Sequence, residues 1–133
     1  MNTENSVSQI MTKEVITVNE RDSLLKIEEI FEQNQIHHLV VMGQEGISGI
    51  VSKNDILSFL MSDQAHSKNE TLSEWKVQDI MTSNPLTIES DDTIGLAADI
   101  ILSNRLHSLP VLEGSELVGI LTSHDLLKYS FEL

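Results

Sequence analysis

The chain has 133 residues, with 8 Lys and Arg against 21 Asp and Glu, a formal charge of −13 and no cysteine. That length suits one domain, and a 40% apolar content fits a packed core better than disorder. The acidic balance leaves no broad basic face for nucleic-acid phosphates or an anionic membrane, and the missing cysteines exclude disulfides, thiolate catalysis, Fe–S clusters and Cys-based zinc.

The polar start, MNTENSVSQIMTKE, lacks the apolar stretch of a signal peptide, and no apolar run reaches the ~18–20 residues of a membrane span. A soluble, cytoplasmic protein is expected. Aromatics are only 4%, so the core must be built from Ile, Leu, Val and Met.

In chain order, β-branched residues over 15–18 predict a short strand. Over 22–34, Leu24, Ile27, Ile30 and Phe31 fall at helical spacing. Residues 38–42 read as a buried strand, GQEG (43–46) as a turn, 47–52 as a strand and 53–61 as a helix. A polar stretch, 62–74, predicts a linker, with Trp75 packing it down. The second half gives a helix over 92–104, strands over 108–112 and 117–122 around the turn 113–116, and a helix over 123–131.

The halves are one motif written twice. At an offset of 70, VSQIMTKEVITV falls on VQDIMTSNPLTI, NQIHHLVVM on NRLHSLPVL, and ISGIVSKNDIL on LVGILTSHDLL. From 7–59 against 77–129 there is no gap, and 15 of 53 positions are identical. Matches such as Leu39 and Leu109 are what any repeated core would give. Thr12/Thr82, Thr17/Thr87, Asn34/Asn104, His37/His107 and Asp55/Asp125 are polar and need another reason. A half of ~55 residues buries too little surface to be comfortable alone. Two such halves can pack their apolar sheet faces about a pseudo-twofold axis, leaving clefts suited to ligands. The expected division is 7–61, a linker over 62–76, and 77–131, together forming one domain.

The twice-written Met-Thr (Met11-Thr12, Met81-Thr82) and Gly-x-x-Ser/Thr-x-x-Asp (Gly49 to Asp55, Gly119 to Asp125) resemble a cystathionine β-synthase (CBS) domain pair, or Bateman module. The resemblance covers 7–129. It implies an α/β fold of the α+β type, two tandem β-α-β-β-α CBS motifs, and a regulatory rather than enzymatic role. It further implies an adenosine-containing ligand: AMP, ADP or ATP, with S-adenosylmethionine less favoured, and Mg²⁺ with a nucleotide. A homodimer and a separate effector protein follow from it too, with ligand shifting the angle between halves or the packing of the dimer.

Carried over residue by residue, one site would join Ser52, Lys53, Asn54 and Asp55 to Thr82, Pro85, Leu86, Thr87, His107 and Ser108. The other would join Thr122, Ser123, His124 and Asp125 to Thr12, Val15, Ile16, Thr17, His37 and His38. A carboxylate can accept from both ribose hydroxyls. Ser or Thr hydroxyls and N–H groups at a helix start can receive phosphate. Thr12 or Thr82 can donate a further bond, an imidazole suits phosphate, and adenine would lie near Ile16 or Leu86. Val15 and Val40 replace the prolines found at 85 and 110, so the first half departs from the family pattern. Ser108 stands where phosphate-binding members are often basic, which argues against tight triphosphate binding at the Asp55 site and favours the Asp125 site.

The same Ser/Thr-x-x-Asp segments are also capping boxes with Asp for the commoner Glu, worth ~1 kcal/mol each without any ligand. His37 and His38 alternate across a strand and lack a third ligand, which argues against a metal. No nucleophile elbow or Gly-rich phosphate loop supports an enzyme. The rival to a sensor is a ligand-free oligomerisation scaffold of the same fold.

Overall fold

The computed structural model describes residues 2–62 and 72–132. In chain order these form β1 (Thr17–Asn19), α1 (Leu24–Gln33), β2 (His38–Gly43), β3 (Gly46–Ser52) and α2 (Lys53–Leu60). There follow β4 (Thr82–Ser83), β5 (Ile88–Glu89), α3 (Ile94–Asn104), β6 (Ser108–Glu113), β7 (Glu116–Thr122) and α4 (Ser123–Phe131). Each repeat therefore contains a β-α-β-β-α motif, preceded in the second by the two-residue β4, and the fold is mixed α/β. Among the described residues no helix is long and apolar enough to cross a membrane. Residues 63–71 of the expected linker lie outside the described residues.

Helices α2 and α4 start where expected, at Lys53 and Ser123, whereas α1 and α3 start two residues late, because polar side chains ahead of them bond to nearby backbone N–H groups. Asp22 Oδ2 accepts from Asn19 N–H at 2.8 Å, and Ser23 Oγ accepts from Lys26 N–H at 3.2 Å, so α1 opens at Leu24 rather than at 22. Asp92 and Thr93 repeat both bonds, at 3.0 and 3.1 Å, before α3. The first strand opens at Thr17, two residues later than expected, after a tight Val15 N–H to Lys13 O turn.

The chain divides into two compact units, and the division does not follow the repeats. One unit is Ile16–Pro85. Its sheet runs β1-β2-β3-β4, with β1 parallel to β2 and the other pairs antiparallel. Leu24, Ile27 and Phe31 of α1 and Ile56 and Phe59 of α2 pack on Leu39, Val41 and Val51. Trp75 joins that core, its ring edge-on to Phe59 at 4.9 Å, while its carbonyl accepts from Leu24 N–H at 2.9 Å. Strand β4, which sequence periodicity does not reveal, comes from the opening of the second repeat and pairs with β3.

The other unit joins the segment up to Val15 to the chain from Leu86 onward. Its sheet is β5-β6-β7, and its core holds Val7, Ile88, Ala97, Ile101, Leu109, Val111 and Leu121. Both hairpins slip register at one matching place, Val41/Met42 and Val111/Leu112. The N-terminal residues complete α3: Ile94 N–H donates to Asn5 O and Gly95 N–H to Thr3 O, each at 2.8 Å.

Candidate functional site

Each Met-Thr segment is delivered by a short 3-10 turn, Val7–Gln9 or Val77–Asp79, pinned by a buried valine. After the first turn, Thr12 exchanges both backbone hydrogen bonds with Ile120 of β7, each 2.9 Å. Neighbouring Gly119 makes this approach possible. A Cβ there would lie 2.6 Å from Met11 Sδ and 2.9 Å from Thr12 O. Gly49 plays the same part beneath Met81 and Thr82, at 2.6 and 2.8 Å. The repeated glycine and the repeated Met-Thr are thus two halves of one contact, each half supplied by a different repeat.

Two residues beyond that contact, β7 turns into α4. Thr122 Oγ1 accepts from Asp125 N–H at 3.1 Å, and Asp125 Oδ2 accepts from Thr122 N–H at 3.0 Å. Thr12 Oγ1 donates to the same carboxylate, 3.2 Å from Oδ1 and 3.3 Å from Oδ2. Ser123 N–H, the first of the helix, donates to His107 O at 2.9 Å. In the other unit the capping box is equally formed, with Ser52 N–H to Asp55 Oδ2 at 2.7 Å and Asp55 N–H to Ser52 Oγ at 3.1 Å. There Lys53 N–H donates to His37 O at 2.9 Å. Among the described residues Thr82 makes no hydrogen bond to Asp55. The bland reading of Ser/Thr-x-x-Asp as a helix cap therefore holds in both units, and in one of them the carboxylate also engages a threonine from the opposite repeat.

That carboxylate borders a cleft of ≈ 280 Å³ lined by Gln9, Ile10, Met11, Thr12, Asp125, Lys128, Tyr129 and Glu132. Tyr129 Oη donates to Asn2 O and accepts from Asn5 Nδ2, both at 2.9 Å, so the N-terminal residues hold this lining side chain in place. Sequence reasoning missed Gln9, Ile10, Met11, Lys128, Tyr129 and Glu132 as site residues. The signal was present for Lys128 and Tyr129, which follow Asp125 at i+3 and i+4 on one helix face, while Glu132 follows at the helix C-cap.

The remaining candidates divide between the units. With Asp125 lie Thr12, Val15, Leu86, Thr87, His107, Ser108, Thr122, Ser123 and His124. His107 and Thr87 are exposed, whereas Ser108 is buried at the start of β6 opposite Thr122. With Asp55 lie Ile16, Thr17, His37, His38, Ser52, Lys53, Asn54, Thr82 and Pro85. His38 opens β2 opposite Ser52, Thr17 pairs with Val40, and Thr82 pairs with Ile50. His37, Lys53 and Asn54 are exposed.

The family model for the CBS domain matches residues 7–62 and again 77–132. A CBS domain-containing protein of Dictyostelium discoideum is 32% identical over 91% of this chain and 88% of its own length. In two other curated relatives the chain spans only 32% and 46% of the protein. A solved CBS domain pair, protein MJ0100 in complex with 5′-methylthioadenosine and S-adenosyl-L-methionine, is 25% identical with a TM-score of 0.75, covering 94% of this chain and 98% of that one. The fold of CBSX2, solved in complex with AMP, matches with a TM-score of 0.79 at 23% identity, over 96% and 97%. The chain belongs to the CBS domain family, with two CBS domains in tandem.

Proposed function

We propose that this chain is a regulatory, non-catalytic module that binds an adenosine-containing ligand at the Thr12–Asp125 cleft and passes the bound state to a partner protein. The observation that carries the reading is the Asp125 carboxylate, held by the Thr122 cap and facing a hydroxyl donor at the edge of a cleft. A vicinal diol can replace the Thr12 hydroxyl on that carboxylate, and such charge-assisted bonds are the stronger kind. Ligands in related CBS pairs, 5′-methylthioadenosine, S-adenosylmethionine and AMP, share this ribose. Thr122, Ser123 and His124 would border the ribose. Ser52, Lys53, Asn54, Asp55 and Thr82 would form the counterpart site.

The test is thermal unfolding with adenosine, 5′-methylthioadenosine, S-adenosylmethionine, AMP, ADP and ATP, with and without Mg²⁺. A ligand at about 100 times its Kd adds ~2.7 kcal/mol, a shift of several degrees. Asp125→Asn keeps a capping acceptor and should abolish the shift, whereas Asp55→Asn should not. No shift with any compound at millimolar concentration refutes the reading.

One observation favours assembly alongside sensing. At matching positions, α2 exposes Leu57 and its C-cap residue Met61, and α4 exposes Leu127 and Phe131, the last 83% accessible. We infer that these stripes pair two copies of the chain in a homodimer. Sedimentation equilibrium on Leu127→Glu/Phe131→Glu decides it: a monomer is expected, and an unchanged wild-type dimer or a monomeric wild type overturns it.

A further inference from the structure

We propose that the Thr12–Asp125 cleft takes an adenosyl ligand whose tail is uncharged or cationic, and discriminates against phosphate-bearing nucleotides. The inference rests on the adenosine reading above and adds the charge class of the ligand.

Two observations carry it. The first is the charge around the cleft. Asp125, Lys128 and Glu132 are its titratable lining groups besides Tyr129, two carboxylates against one ammonium, with Gln9 and Thr12 neutral. Lys128 sits in the last turn of α4, where the helix carbonyls already attract a cation. The chain as a whole carries −13, so no distant field offsets a second negative charge brought to the cleft.

The second observation concerns donors. A phosphate at a helix start is normally held by the free N–H groups of the first turn. In α4 the Ser123 N–H is taken by His107 O and the Asp125 N–H by Thr122 Oγ1. The remaining first-turn N–H, that of His124, adjoins Asp125 in sequence and lies outside the cleft lining, where the one residue of that turn is the Asp125 carboxylate itself, which repels a phosphate oxygen. The arrangement suits a neutral diol and leaves little for a phosphate. A sulfonium tail would be drawn toward Asp125 and Glu132, and a thioether tail would meet Ile10 and Met11.

Isothermal titration of the full chain with adenosine, 5′-methylthioadenosine, S-adenosylmethionine, AMP and ATP, the nucleotides with and without Mg²⁺, tests this at low and high salt. The thioether or sulfonium compound should bind at least tenfold tighter than AMP at low salt. The gap should narrow at high salt, where exposed charges are screened. Glu132→Gln should narrow it severalfold, and its exposed position keeps the fold intact. AMP or ATP binding as tightly as adenosine, or a gap indifferent to both salt and Glu132→Gln, overturns the charge rule while leaving the adenosine reading standing. Binding of none of the five compounds refutes the adenosine reading, and the charge rule with it.

Discussion

Thr12 and Asp125 are 113 residues apart in the chain, and the threonine hydroxyl lies 3.2 Å from one oxygen of the aspartate and 3.3 Å from the other. The bond ties the opening of the first repeat to the helix start of the second. Its donor is exposed to solvent, so its loss should cost little stability, about 0.5–1 kcal/mol. Thr12→Val is therefore expected to fold normally and lower the urea midpoint slightly at constant slope. Thr122→Ala, which removes the cap itself, should cost about 1 kcal/mol or more. A larger loss from Thr12→Val than from Thr122→Ala would show that the cross-repeat bond is structural.

The contact beneath that bond is less forgiving. Gly119→Ala places a methyl 2.6 Å from Met11 Sδ and 2.9 Å from Thr12 O. A thioether can move, but the carbonyl belongs to a backbone held by two hydrogen bonds to Ile120. The expected cost is about 1–3 kcal/mol. Met11→Ala should not rescue Gly119→Ala, because the carbonyl clash persists. Full rescue in the double variant would locate the crowding in the side chain alone.

At the offset of 70, Phe59 matches Tyr129 and Trp75 matches Asn5. One pair is an edge-on aromatic contact within a core, with Trp75 Nε1 buried and without a hydrogen-bond partner among the described residues; the other is a 2.9 Å hydrogen bond. The two should differ in energy accordingly. Trp75→Ala is expected to cost about 3–5 kcal/mol and Tyr129→Phe only about 1. Denaturant unfolding of both variants checks the ratio.

Burial pushes the Asp22 carboxyl up, but the Asn19 N–H and the Lys26 ammonium at 3.1 Å outweigh it and hold it below the ordinary 3.8. A carboxyl lowered on folding contributes stability above its unfolded value and loses it as pH falls through the folded one. The midpoint difference between wild type and Asp22→Asn should stay level above about pH 5 and shrink below about pH 4. A difference constant down to about pH 3 would assign the effect to shape rather than charge.

The repeat, both hairpins, the helices and both capping boxes are legible in the sequence because each rests on short-range order: apolar spacing, a turn, or side chains three residues apart. Strand β4 was hidden because two residues carry no period. The cleft residues on α4 follow from Asp125 by helical spacing, but nothing local says that Gln9 faces them. The decisive step belongs to the tertiary structure. Met11-Thr12 and Met81-Thr82 are chemically alike, and so are Gly49 and Gly119. Either glycine could seat either segment by shape and hydrogen bonding, so residue chemistry alone leaves the pairing open, although resemblance to the CBS pair implies a crossed one. Only the path of the folded chain seats each segment on the other repeat's glycine, and that exchange brings Thr12 to Asp125.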